Sequence, residues 1–179
     1  SNVADLMHMR IQSLIAENNY STKVRLCGVP FAALTLATAI SVKHQLPSLL
    51  VRKEAKAHGT ANLIEGLISG INHKEESLVV IEDVVTSGLS ITEIVQKIKD
   101  AANLQATAAV CFLDREQNGP ENLWQNCGLK LGSVVTMRQI NNILYKELNK
   151  ISQEEYASLD KYLNENSKIA LPLQQPTAT

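Results

Sequence analysis

The sequence predicts an α/β protein: a mostly parallel sheet flanked by helices on both faces, with one antiparallel hairpin attached. Three observations predict it. Short apolar, strand-like runs alternate with segments of helical periodicity along the chain. One of these runs, Leu78-Val79-Val80-Ile81, is apolar without a break, as a strand buried on both faces must be. The chain has 179 residues, 45% of them hydrophobic, which suits one domain able to bury roughly 70% of its unfolded surface without a disulfide or metal staple.

The elements follow in order. Val3, Leu6, Met7, Ile11, Leu14 and Ile15 recur at helical spacing and mark an amphipathic first helix. Lys23 to Cys27 reads as a strand, ended by Gly28-Val29-Pro30, and Phe31 to Val42 as a helix with Leu34, Ala37, Thr38 and Ile40 on its apolar side. Leu49-Leu50-Val51 is a buried strand after Pro47. The polar stretch Arg52 to Asn62 contains Gly59 and reads as a mobile loop. Leu63 to Ile68 and Ser77 to Glu82 are strands joined by the turn-rich Ser69-Gly70-Ile71-Asn72-His73-Lys74, which predicts that they pair as the hairpin. Ile91, Ile94, Val95 and Ile98 mark a helix, Thr107 to Leu113 a strand, Glu121 to Asn126 a short helix and Leu131 to Thr136 a last strand. Two helices close the chain, one on Ile140, Ile143, Leu144 and Leu148, the other on Tyr156, Leu159, Tyr162 and Leu163. After Ala170 the tail holds Pro172 and Pro176 and is expected to fray.

Composition removes several function classes. Seventeen basic against 18 acidic side chains leave a net charge of −1, which argues against a nucleic-acid partner. No apolar run approaches the roughly 20 residues of a membrane span, and no signal peptide opens the chain, so no membrane partner is expected. Cys27, Cys111 and Cys127 are odd in number and lie in or beside apolar stretches. They read as small reduced hydrophobes, which points to a cytoplasmic location. His8, His44 and His73 have no clustered partner in the sequence and read as surface or helix-face residues, while Trp124 and the tyrosines read as packing in helix interfaces.

Ligands of a parallel sheet bind beyond the carboxyl ends of its strands, so the residues that follow each strand matter most. The strongest such segment is Leu78 to Ile81 followed by Glu82-Asp83-Val84-Val85-Thr86-Ser87-Gly88, which then opens a helix. Backbone N–H groups, two hydroxyls and a helix N-terminus converge there on one place, which suits a phosphate, and Gly88 allows close backbone approach. Two carboxylates repel a phosphate but accept hydrogen bonds from hydroxyls such as the 2′ and 3′ hydroxyls of a ribose. A ribose 5-phosphate fits both halves. No Gly-Lys-Ser/Thr follows, so this is not a Walker loop.

That segment resembles the phosphoribosyl diphosphate (PRPP) signature of type I phosphoribosyltransferases. Arg52-Lys53-Glu54-Ala55-Lys56-Ala57-His58-Gly59 resembles the catalytic loop of the orotate phosphoribosyltransferases in particular. Leu113-Asp114-Arg115-Glu116-Gln117 is similar to that family's orotate-contacting turn, and Gly28-Val29-Pro30-Phe31-Ala32-Ala33-Leu34 to its diphosphate loop. The four motifs stand in the family's order, and within the family the chain resembles the N-terminal domain of the animal bifunctional UMP synthases most. The departures are Ala57, where an acid or polar residue is usual, and the absence from the diphosphate loop of a Lys that many bacterial members carry.

The resemblance implies transfer of phosphoribosyl from PRPP to orotate, giving orotidine 5′-monophosphate and diphosphate in UMP biosynthesis, with Mg²⁺, by a homodimer whose loop crosses between subunits. It implies Lys56, His58 and Asp83 as catalytic residues. PRPP would be held by Arg52, Lys53, Lys56 and His58 in the loop and by Glu82, Asp83, Val84, Val85, Thr86, Ser87, Gly88, Leu89 and Ser90 at the strand end. Orotate would meet Thr86 and Arg115, and no protein side chain would be a dedicated metal ligand. Family members carry a hood before the first helix, so the resemblance implies an N-terminally incomplete phosphoribosyltransferase domain over 1–170 and a flexible tail over 171–179. A PRPP-binding module that does not turn over is the alternative reading.

Overall fold

The computed structural model describes residues 2–52, 63–67 and 72–167. Helix α1 (Val3–Glu17) begins at an Asn2 cap whose side chain accepts from the Asp5 amide while Asp5 returns the bond, a reciprocal box that fixes the helix start. There follow β1 (Val24–Gly28), α2 (Ala32–His44), β2 (Ser48–Val51), β3 (Ile64–Glu65), a 3₁₀ turn (His73–Glu75), β4 (Ser77–Val85), α3 (Leu89–Ala102), β5 (Ala108–Asp114), α4 (Gly119–Cys127) and β6 (Lys130–Thr136). Helix α5 (Met137–Asn142) runs on as a π-helical turn (Ile143–Glu147), and α6 (Gln153–Asn166) is the last described element.

The sheet order is β3-β2-β1-β4-β5-β6. Every pairing is parallel except β2 with β3. Alternate residues of the central strands therefore serve two cores. Cys27 and Val80 face α3 and α4, packing with Ile91, Ile98 and Leu123. Leu26, Val79 and Ile81 face α1 and α2, packing with Met7, Ile11 and Ile40. This two-sided burial is why β4 is apolar throughout its first half.

The hairpin differs from its expectation. Strand β3 pairs antiparallel with β2, Leu50 opposite Glu65 and Val51 opposite Ile64. Strand β4 pairs parallel with β1 instead, Cys27 opposite Val80. The long apolar run of β4 needs a partner on each edge and a helix layer on each face, which only the sheet centre supplies. Arg25 fixes the same choice at the amino ends of the strands. Its guanidinium donates to both carboxylate oxygens of Glu76, at 2.7 and 3.1 Å, and to the Gly66 carbonyl at 3.0 Å.

Two further expectations change. His8 and His44 form a stacked pair, ring centroids 3.8 Å apart, between α1 and α2, and the His73 ring lies 3.0 Å from Glu76 Oε2. Trp124 is 57% exposed and is not part of a helix interface, whereas Tyr145 and Tyr156 do stack between the π-helical turn and α6. Cys27 and Cys111 are buried and free, and burial pushes each thiol up to about 12, so both stay protonated at neutral pH. Among the described residues no helix is long and apolar enough to cross a membrane.

Candidate active site

The carboxyl ends of β2, β1, β4 and β5 share one edge of the sheet. The four segments singled out in the sequence follow these strands: 52–59 after β2, 29–34 after β1, 82–90 at the end of β4, and 114–117 at the end of β5. Lys53, Lys56 and His58 lie outside the described residues.

The turn after β4 is built by close packing. Gly88 has φ +83°, and a Cβ there would stand 2.9 Å from Leu123 Cγ. Glycine is therefore required by both conformation and space. From Gly88 the chain enters α3, whose first turn leaves amide groups without intrahelical acceptors. Around them lies a shallow cavity of about 210 Å³ lined by Glu82 and residues 84–91. Thr86 and Ser87 are half-buried in it, and Leu89 and Ser90 are exposed.

The turn after β5 is tied to this cradle. The Arg115 amide donates to the Val85 carbonyl at 2.9 Å. Asn122, 1% exposed, donates from Nδ2 to the Ser87 carbonyl at 3.0 Å. A Cβ on Gly119 would come within 2.6 Å of Val85 Cγ1 and 2.8 Å of the Thr86 carbonyl, so α4 starts in direct contact with the strand end. The structure thus brings Thr86 and Arg115 onto neighbouring turns. Gly119 and Asn122 are the residues that sequence reasoning missed. Their only signal was an Asn-Gly-Pro-Glu helix start directly after a candidate site turn.

The two acids part company. Asp83 is half-buried, with Oδ1 accepting from the Val84 amide at 2.9 Å. Glu82 is only 8% exposed. Burial pushes its carboxyl up to about 8, with a hydrogen bond and charge from Asp83 adding to the shift. At pH 7 Glu82 is mostly protonated. Asp114 is also raised, chiefly by burial, although its Oδ1 accepts from the Glu116 amide at 2.8 Å.

The sign of the pH dependence follows. A carboxyl that holds its proton in the folded protein and loses it when unfolded stabilises most below the unfolded pKa. For Glu82 that contribution falls as pH rises from the ordinary glutamate value of 4.5 through about 8. Glu82→Gln keeps the shape without the titration. Thermal melts from pH 5 to 8 are therefore expected to fall less steeply for the variant than for the wild type. Equal slopes would place the buried titration elsewhere.

On the far side of the sheet edge, Arg52 donates from Nε and Nη2 to Glu65 Oε1 at 3.2 and 2.9 Å, and its amide to the Leu63 carbonyl at 2.8 Å. The pair stands where β2 ends beside β3, and it was not anticipated because Glu65 is 13 positions away in the chain.

Comparison with known proteins places this architecture. No protein-family model matches the chain. Over 168 residues it is 37% identical to uridine 5′-monophosphate synthase of Bos taurus, an alignment covering 94% of this chain and 32% of that protein. Over 113 residues it is 44% identical to an orotate phosphoribosyltransferase of Caenorhabditis elegans, covering 63% of this chain and 47% of the relative. In three dimensions it matches the UMP synthase of Leishmania donovani with a TM-score of 0.71 at 26% identity, over 91% of this chain and 33% of that one. The chain thus spans less than half the length of these relatives. The Bos taurus alignment takes in nearly all of this chain, which belongs to the orotate phosphoribosyltransferase family of type I phosphoribosyltransferases.

Proposed function

We propose that the protein transfers the phosphoribosyl group of PRPP to N1 of orotate, releasing diphosphate and forming orotidine 5′-monophosphate in UMP biosynthesis. The observation that carries this reading is the strand-end turn of β4: the half-buried Asp83 carboxyl beside a hydroxyl- and amide-lined cradle, bonded through the main chain to the turn that bears Arg115.

Each part has a role that follows from its chemistry. The amides and hydroxyls of residues 86–90 bind the 5-phosphate at the N-terminus of α3, where partial positive charge is fixed in place. Asp83 accepts hydrogen bonds from the ribose hydroxyls and orients C1, with Glu82 supporting it as a neutral neighbour. Arg115 grips a planar carboxylate or carbonyl edge of orotate with its guanidinium fork. Arg52, with Lys53, Lys56 and His58, neutralises the charge that grows on diphosphate as the C1–O bond breaks. Positioning and leaving-group stabilisation suffice, and no covalent intermediate is needed.

Mg²⁺ is the implied metal. The donor set at the strand end, Asp83 beside a largely neutral Glu82, fits a hard dication that keeps most of its shell in water and substrate oxygens. When bound, Mg²⁺ would neutralise diphosphate charge. A homodimer and a cytoplasmic location belong to the same reading. Two buried thiols held protonated agree with a reducing compartment.

The test is loss of orotate ultraviolet absorbance with PRPP and Mg²⁺, for the wild type and for Lys56→Ala. Wild-type turnover that collapses in Lys56→Ala, while calorimetry still detects PRPP binding, is the expected result. PRPP binding without wild-type turnover would favour the binding-module reading. Full activity in Lys56→Ala would overturn the role given to the loop.

A further inference from the structure

The turn that bears Arg115 is held by the two C-terminal helices, and one side chain connects all three. The Arg138 amide, in the first turn of α5, donates to Glu116 Oε2 at 2.7 Å, placing a carboxylate on the positive end of that helix. The Arg138 side chain lies 3.6 Å from Glu116 Oε1, donates to Asn164 Oδ1 at 3.1 Å and is hydrogen-bonded to Asp160 Oδ1. Asn164 in turn donates to Asp160 Oδ2 at 3.2 Å. A second strut runs parallel, from Gln117 Nε2 to the Tyr162 hydroxyl at 2.8 Å. Glu116 itself has φ +56°, a left-handed conformation that a side-chain-bearing residue keeps only when its surroundings hold it there.

We propose that Arg138 is a positioning residue for the base subsite: by clamping Glu116 to α6 it fixes the turn that aims Arg115. The inference rests on the reading that Arg115 contacts orotate. It extends that reading to residues distant in the chain, Arg138 standing 22 positions from Glu116. The phosphate cradle should be spared. It is braced by α4, through Asn122 and Gly119.

The split between substrates tests this in the full-length protein. Arg138→Ala is expected to raise KM for orotate about tenfold, equivalent to about 1.4 kcal/mol, and to leave KM for PRPP within about twofold. Arg138→Lys, which keeps the charge opposite Asp160 but not the fork, should recover part of the loss. The double variant Arg115→Ala/Arg138→Ala should be no worse for orotate than Arg115→Ala alone, because the clamp acts only through Arg115. Equal rises in both KM values, or additive losses in the double variant, would overturn the proposal.

If Arg115→Ala leaves the orotate KM unchanged, the base-subsite reading fails and the clamp is judged without turnover. Amide hydrogen exchange over residues 113–118 should then accelerate at least about tenfold in Arg138→Ala and in Asp160→Asn, with α1 unaffected. Unchanged exchange would show that Arg138 holds nothing.

Discussion

Asp83→Asn is expected to lower kcat/KM for PRPP by about 10- to 150-fold, corresponding to about 1.5–3 kcal/mol for hydrogen bonds made to a charged group. The substitution is nearly isosteric, and the one local bond that Asp83 makes through Oδ1, from the Val84 amide, is one that an Asn oxygen also accepts. Folding should therefore be unaffected, and the loss should appear in steady-state rates and not in the melting temperature. A second readout separates charge from shape. Asp83 helps to raise the Glu82 carboxyl, so Asp83→Asn should bring the Glu82 titration down from about 8 toward its ordinary range. Carbon-13-detected titration of Glu82 checks this directly. Wild-type rates in the variant would remove Asp83 from the substrate site. Reduced rates with an unmoved Glu82 would mean that burial alone governs its proton.

Arg25→Ala is expected to cost about 3 kcal/mol of stability, the low end of the range for breaking a buried ion pair from one side. Arg25 is 4% exposed, and its removal leaves the Glu76 carboxylate without its main partner and the Gly66 carbonyl without its donor. The low end applies because a cavity of about 510 Å³ lies beside the pair, lined by Glu76, His73 and residues 103–107, and lets water reach the orphaned carboxylate. The melting temperature should fall by on the order of 10 °C. Replacing both partners, as Arg25→Met with Glu76→Leu, should recover much of the loss. A single variant melting within a degree or two of the wild type would show that the pair is solvated despite its enclosure.

The sequence was most legible where local and global demands agree. Strand β4 is uninterrupted because both its faces are covered, and its Thr-Ser-Gly end is legible because a positive-φ turn into a helix admits few residues. Pairing was harder to read. Among the described residues strand β3 pairs through Ile64 and Glu65, so its partner is chosen by β2 and the Arg25 clamp and not by any pattern of its own. The same holds for the histidines. His8 and His44 sit on different helices, and their stacking is a product of how α1 crosses α2. Within the site, residues that would touch substrate were visible as motifs. Those that hold them, Asn122, Arg138 and Asp160, are ordinary polar residues whose meaning is set by distant partners.

The central pairing of β1 with β4 also governs how the chain reaches this structure. Arg25 and Glu76 stand 51 positions apart, and everything between them, including α2, β2 and β3, must be accommodated before the two strands can meet. The segment from β1 through β2 is a local unit that can assemble early, but its inner edge stays open until β4 arrives. Contacts of such long sequence separation are formed against chain entropy, so folding is expected to be slower than that of a helical bundle of equal length. During synthesis the nascent β1 edge is exposed until Val85 has left the ribosome, and for that interval its apolar strand is a surface that chaperones or other chains can capture.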